Sequence, residues 1–254
     1  MLSSQRAVMK SYNIRIILVQ TSHPGNIGAV ARAMKTMGLS QLTLVKPRFF
    51  PHPDATAMAS RAEDILEQAQ VVDSLAEAIS DSQFVVGASV RPRSLEIATR
   101  TPYEMAPIVL DAASNATVSI VFGRESTGLT NDELDLCHQL ITIPSDENYG
   151  SLNLSQAVQV ICYELRMNWL TQKAEKKEID LENLATAQET AGFFDHLEKT
   201  LWEIEFIRPH NPKEVMRKLR RLFGRTNLKK EEINILRGIL TAINIASKKK
   251  NLSC

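Results

Sequence analysis

Asn13-Ile14-Arg15-Ile16-Ile17-Leu18-Val19-Gln20 is a run of β-branched and apolar residues, and His23-Pro24-Gly25 interrupts it before a helical stretch that ends near Gly38. That order reads as strand, turn, helix. The same alternation continues downstream. Gln41 to Val45 reads as a second strand, Val71-Val72 as a weak third, Leu75 to Ser80 as a helix and Phe84 to Gly87 as a buried strand. A helix follows from Tyr103 to Ala113, and two further strands cover Val118 to Phe122 and Leu140 to Ile143. Strands separated by helices give an α/β fold, a mostly parallel sheet with helices on both faces. Ligands of such sheets bind at the C-terminal ends of the strands.

Beyond Ser151-Leu152-Asn153, the positions Leu154, Ala157, Val158, Ile161, Cys162, Leu165 and Trp169 recur with the spacing of an amphipathic helix, which closes the first unit. Residues 173–188 are charged, lack a clear apolar stripe and read as a linker or a loosely held helix. No strand-like run follows. Helices are expected over Phe193–Glu205, Pro212–Phe223 and Lys229–Ser247, so residues 189–254 form a small all-helical module after a larger domain over 13–172. Residues 1–12 read as a loose tail without the apolar core of a secretory signal.

Composition narrows the function classes. With 44% hydrophobic and 23% charged residues and no apolar run of membrane-spanning length, the 254-residue chain reads as soluble. Its three cysteines share no CxxC spacing and its five histidines no HxxxH spacing, which argues against a metal site and for a reducing, cytoplasmic setting. The net charge of +1 conceals an asymmetry: residues 175–205 hold nine acids and three bases, residues 206–254 thirteen bases and three acids. A local excess of +10 attracts a polyanion, although a solvated helix face has the same composition. In the middle helix Met216, Leu219, Leu222 and Phe223 form the expected apolar stripe. Arg217, Lys218, Arg220, Arg221 and Arg225 lie on the other side with no acids in view to pair them, which suits phosphate contacts rather than base stacking.

Three polar turns follow strands. They are Asn26-Ile27-Gly28-Ala29-Val30-Ala31-Arg32, then Phe122-Gly123-Arg124-Glu125-Ser126-Thr127-Gly128-Leu129, then Ile143-Pro144 with Ser151-Leu152-Asn153-Leu154-Ser155. Each has an ordinary local explanation: a cap at Asn26, a surface charge at Arg32, an acid at a helix start at Glu125, a cap at Ser151 and Asn153. Gly123 would let backbone approach a ligand closely. A dinucleotide fingerprint is disfavoured, because the G-x-G spacing is absent and the second strand ends in Val45-Lys46-Pro47 where a ribose-binding acid belongs. One crevice shared by three strand ends explains the set better than separate caps do.

These motifs resemble those of the SPOUT-superfamily RNA 2′-O-ribose methyltransferases: N-x-G-x-x-A-R at Asn26/Gly28/Arg32, G-x-E-x-x-G-L at Gly123/Glu125/Gly128/Leu129, and S-L-N-x-S-x-A at Ser151/Leu152/Asn153/Ser155/Ala157. The stretches Val85–Arg93, Cys162–Met167, Lys218–Phe223 and Leu236–Leu240 extend the resemblance to members that methylate nucleotide 32, cytidine or uridine, in the tRNA anticodon loop. It covers about Asn13 to Ala246 and implies a C-terminal trefoil knot in the sheet domain and a homodimer contacting through the first helix and the helix after Asn153. It also implies S-adenosyl-L-methionine as cofactor, held by Ala88, Ser89, Val90, Gly123, Ile143, Gly150, Ser151 and Leu152. Arg32 becomes the essential arginine, Ser151 and Asn153 orient the hydroxyl or Arg32, and Glu125 holds the loop or the arginine. Asn26, Arg91 and Arg93 join the basic helix in binding RNA. Methylation at another tRNA or rRNA site, or RNA binding without chemistry, are the alternatives.

Overall fold

The computed structural model describes residues 12–89, 98–146, 149–171, 184–207, 212–226 and 228–251. Seven parallel strands form one sheet: β1 (Ile14–Val19), β2 (Gln41–Val45), β3 (Gln70–Val72), β4 (Phe84–Ala88), β5 (Thr99–Arg100), β6 (Val118–Phe122) and β7 (Gln139–Ile141), in the order β3-β2-β1-β6-β4-β7-β5. The strand period of two divides the side chains between the faces. Ile14, Ile16 and Leu18 enter one core with Ile120 and Val86, whereas Ile17 and Val19 enter a second with Val85 and Val121. Helices α1 (Pro24–Met37), α2 (Pro53–Ala59), α3 (Glu63–Glu67), α5 (Pro102–Asn115) and α7 (Leu154–Thr171) cover the first face; α4 (Leu75–Ala78) and α6 (Asn131–Leu134) cover the other. The expected two-faced parallel sheet is therefore the fold.

Local signals set the helix ends. Pro24 occupies the first turn of α1, and Gly38, at φ 88°, closes it in the left-handed region that favours glycine. Thr101 with Glu104 and Thr130 with Glu133 form capping boxes on α5 and α6. Helix α2 carries no apolar stripe in the sequence, because it buries only the small Ala55 and Ala59 against α1, and α3 is a single short turn that buries Ile65 and Leu66. That contact fixes Gly28: a Cβ there would lie 2.0 Å from the Ala55 carbonyl oxygen. Gly28→Ala is expected to destabilise the fold by about 2 kcal/mol or more, through forced separation of α1 and α2, measured by urea unfolding.

Among the described residues the C-terminal unit is built from helices α8 (Ala187–Glu203), α9 (Pro212–Gly224) and α10 (Lys230–Asn251), with one isolated bridge between Leu184 and Lys229. Helix α8 begins six residues before the expected Phe193, because Thr186 and Glu189 form a capping box there. The module has its own core, in which the Phe193, Phe194 and Phe223 rings meet at centroid distances of 5.1 to 6.1 Å. Leu222 departs from its expected place in the apolar stripe and is 57% exposed; Val215 packs on the core instead. Backbone hydrogen bonds from Ala187 to the Ser82 carbonyl (2.7 Å) and from Gln188 to that of Ser80 (3.2 Å) tie the module to the sheet domain.

Candidate active site

Strand order reverses between β1 and β6, and the chain leaves both strands at the same end of the sheet. Glu125, three residues past β6, reaches across to the turn after β1. Its carboxylate accepts hydrogen bonds from the Ser22 backbone N–H (3.1 Å), the Ser22 hydroxyl (3.0 Å), the His23 backbone N–H (3.2 Å) and the Asn26 side-chain amide (3.0 Å). Burial pushes this carboxyl up. The donors, led by Asn26, outweigh burial and hold Glu125 below the usual carboxylate range.

Asn26 links all three motifs. Its amide nitrogen donates to Glu125, and its Oδ1 accepts from Asn153 Nδ2 at 3.1 Å. Asn153 Oδ1 in turn accepts from the Ser155 backbone N–H (2.9 Å) and hydroxyl (2.7 Å) at the start of α7. An ionised carboxylate is an acceptor only, so it fixes which way the Asn26 amide faces, and Asn26 then fixes Asn153. Asn153 is thus both a helix cap and a member of the relay. Glu125 holds the β1–α1 loop and the first turn of α1: three of its hydrogen bonds come from Ser22 and His23 and one from Asn26, with none from Arg32 among the described residues.

The relay borders a cleft of about 720 Å³ between α1, α2 and the start of α7, lined by Pro24, Gly25, Asn26 and Ala29, by Asp54, Ala57 and Met58, and by Asn153, Ser155 and Gln156. Arg32 is exposed on α1, three residues past the lining residue Ala29, and makes no hydrogen bond or ion pair among the described residues. Ser151 is likewise exposed, and Gly150 accepts a hydrogen bond from the Ser145 hydroxyl at 3.0 Å. Ala88, Gly123 and Ile143 lie at or just beyond the ends of β4, β6 and β7, strands that adjoin in the order β6-β4-β7. Ser89 uses its backbone N–H on the Ile141 carbonyl (3.0 Å), and its own carbonyl accepts from the Thr142 hydroxyl (2.8 Å). Leu152 is half-buried, and Val90, Arg91 and Arg93 lie outside the described residues.

One sequence reading gains a second cause and another changes. Gly123 is required by its own loop: a Cβ there would lie 2.1 Å from the carbonyl carbon of Gly128, whose backbone pairs with Arg124. The basic helix is not without acids. Arg217 pairs with Asp135 of the sheet domain at 3.0 Å and Lys218 with Glu214 at 2.9 Å, while Arg220 lies over the Phe194 ring, 4.7 Å from its centroid. Arg221 is half-buried, with Nε enclosed and unpartnered among the described residues; Arg225 is exposed. Sequence reasoning missed Ser22 and His23, which lie about a hundred residues from Glu125. It also assigned no role to Arg124, which grips Glu133 through both terminal nitrogens (2.9 and 3.0 Å) and Gln20 through Nε (2.8 Å).

Known proteins are similar to this chain in sequence and in fold. Residues 13–163 match the family model described as the SpoU rRNA Methylase family, and residues 188–252 match that of the tRNA methyltransferase TrmJ C-terminal domain. The chain is 51% identical over 237 residues to the tRNA (cytidine/uridine/adenosine-2'-O-)-methyltransferase TrmJ of Pseudomonas aeruginosa, covering 90% of this chain and 92% of that one. It is 48% identical over 240 residues to the tRNA (cytidine/uridine-2'-O-)-methyltransferase TrmJ of Salmonella choleraesuis, covering 94% and 99%. The crystal structure of TrmJ from Z. mobilis superposes with a TM-score of 0.79 at 34% identity, covering 91% of this chain and 98% of that one. With the motif relay, the parallel sheet and the helical module all in place, the chain belongs to the SpoU methylase family.

Proposed function

We propose that the protein transfers the methyl group of S-adenosyl-L-methionine to the ribose 2′-OH of nucleotide 32, cytidine or uridine, in the tRNA anticodon loop. The observation that carries the reading is the Glu125–Asn26–Asn153 relay, which joins the three motifs at one end of the sheet. The names of the relatives supply the tRNA and the 2′-oxygen. The cofactor, when bound, supplies an electrophilic methyl on a sulfonium. The ends of β4, β6 and β7 fit it: they adjoin, and Ala88, Gly123 and Ile143 are uncharged residues suited to a ligand held through backbone groups. Ser89, Gly150, Ser151 and Leu152 complete that wall, together with Val90.

The protein itself supplies alignment and charge. Holding hydroxyl and methyl donor in line removes about 7–11 kcal/mol of barrier at most. Arg32, exposed and without a hydrogen bond or ion pair among the described residues, contacts the ribose hydroxyl or its phosphate and stabilises the oxygen as its proton leaves for solvent. It stays protonated, so it positions rather than abstracts. Asn26 and Asn153 orient the substrate wall, and Ser151 faces the same nucleotide. Arg91 and Arg93 bind flanking phosphates. Arg220, Arg221 and Arg225, with Arg217 and Lys218 once released from their acids, hold the tRNA body.

The working protein is a cytoplasmic homodimer with a trefoil knot. The pairing of β7 between β4 and β5, both earlier in the chain, supports the knot. An outward row on α7, Tyr163, Met167 and Leu170 at 48%, 40% and 49% exposure, supports the dimer. Among the described residues no helix is long and apolar enough to cross a membrane. The function is tested by labelled methyl transfer from S-adenosyl-L-methionine to tRNA and rRNA transcripts, followed by nuclease digestion. Label in alkali-resistant dinucleotides from tRNA alone supports it; label on a base, on rRNA alone or nowhere refutes it.

A further inference from the structure

The β2–α2 loop presents an aromatic ring that the fold does not use. Phe50 packs against the main core, whereas its neighbour Phe49 is 49% exposed. The Arg48 guanidinium lies 5.3 Å from the centroid of the Phe49 ring, and the His52 ring stands 6.4 Å away, tilted by 55°. The loop is anchored at both ends. Arg48 donates its backbone N–H to the Thr21 carbonyl at 3.0 Å, one residue before the Ser22 that Glu125 grips. His52 caps α2 by accepting the Asp54 backbone N–H at 3.2 Å, and Asp54 lines the cleft beside the relay. Pro47, Pro51 and Pro53 restrict the backbone between these anchors. Phe49 is therefore held out on a stiff support, in the loop that leads to the cleft-lining Asp54, with the exposed cations Lys46 and Arg48 close by in the chain.

From this geometry we infer that Phe49 is a stacking platform for one unpaired base of the RNA, with Arg48 on the adjoining phosphate. The inference rests on the tRNA reading above and adds a subsite to it. Single-stranded loops are read by splaying bases onto aromatic faces, and a guanidinium beside the ring adds attraction for both the π-face and the backbone charge. An apolar protein partner would call for a wider greasy patch, and a cation next to the ring weakens that option. The platform contacts neither the reacting oxygen nor the cofactor wall, so it acts on substrate binding rather than on the chemical step.

The test uses the full chain as wild type, Phe49→Ala, Phe49→Trp and Arg48→Gln, with tRNA transcripts carrying 2-aminopurine singly at each anticodon-loop position other than the target. Phe49→Ala is expected to raise the tRNA KM and Kd by roughly five- to a hundredfold, the worth of one stacked base. Its kcat at saturating tRNA and its affinity for S-adenosyl-L-methionine stay at the wild-type level, and Phe49→Trp restores binding. At one loop position the probe is quenched on wild type and Phe49→Trp and not on Phe49→Ala. Arg48→Gln lowers the slope of log Kd against log salt by about one. Unchanged KM and unchanged quenching in Phe49→Ala, with wild type methylating tRNA, overturn the platform alone. A wild-type protein that neither binds nor methylates tRNA overturns the tRNA reading and the platform with it.

Discussion

Arg32→Ala is expected to slow methyl transfer to tRNA by about a hundred- to a thousandfold, the usual loss when a donor to developing oxyanion charge is removed. The fall should lie in kcat, with tRNA Kd, cofactor Kd and thermal stability close to wild type. The stability expectation follows from the structure, since Arg32 is exposed and makes no hydrogen bond or ion pair among the described residues. Arg32→Lys keeps the charge and loses the planar fork, so it recovers only part of the rate. Single-turnover kinetics with binding measured separately decides the matter. A rate near wild type in Arg32→Ala removes Arg32 from the reaction.

Glu125→Ala has the second large effect, for a different reason. It leaves the Ser22 and His23 N–H groups, the Ser22 hydroxyl and the Asn26 amide without their acceptor. Loss of about 2 kcal/mol of stability is expected from those orphaned, partly buried donors. Activity falls by about a hundredfold, because Asn26 and Asn153 lose their fixed orientation and a displacement near 1 Å is enough for that. The pH dependence has a defined sign. Glu125 is held below its ordinary value of 4.5, so its contribution to stability is complete above pH 4.5 and is lost as pH falls through its lowered folded value. Wild type and Glu125→Gln should therefore show stability curves that converge in acid and run parallel between pH 6 and 8, read by urea unfolding at each pH. Divergence between pH 6 and 8 contradicts the assignment.

The elements legible in the sequence are those whose signal is local. Ile14 to Val19 and Val118 to Phe122 are apolar apart from Arg15 and Ser119, because side chains on both faces of those strands are buried, and the α7 stripe follows its core contacts. What escaped is set by tertiary contact. Helix α2 has no apolar stripe because it packs through alanines against Gly28. Gly123 reads as a ligand-facing glycine, with no local sign that Gly128 and Leu129 of its own loop also need its missing Cβ. Helical spacing placed Leu222 in the module core, yet the core turns to Val215, Met216 and Phe223 instead. The charges on α9 looked unpaired because Asp135, the partner of Arg217, lies 82 residues away in the other unit.

The candidate site was legible as three motifs and not as a mechanism of assembly. Nothing in the local sequence says that Glu125 and Asn153 meet through Asn26, since the intervals are 99 and 127 residues. The relay gives each motif a physical role. Glu125 sets an amide orientation, Asn26 transmits it, and Asn153 carries it to the start of α7. Arg32 then stands on α1, an element that the relay ties to the loop after β6 and to the start of α7.

The most direct measurement is to incubate the purified 254-residue protein with unmodified tRNA transcripts and methyl-labelled S-adenosyl-L-methionine, and to map the product by nuclease digestion and mass spectrometry. The account predicts a single 2′-O-methyl group on the ribose of nucleotide 32. Label at another nucleotide, on a base, or absent altogether contradicts it.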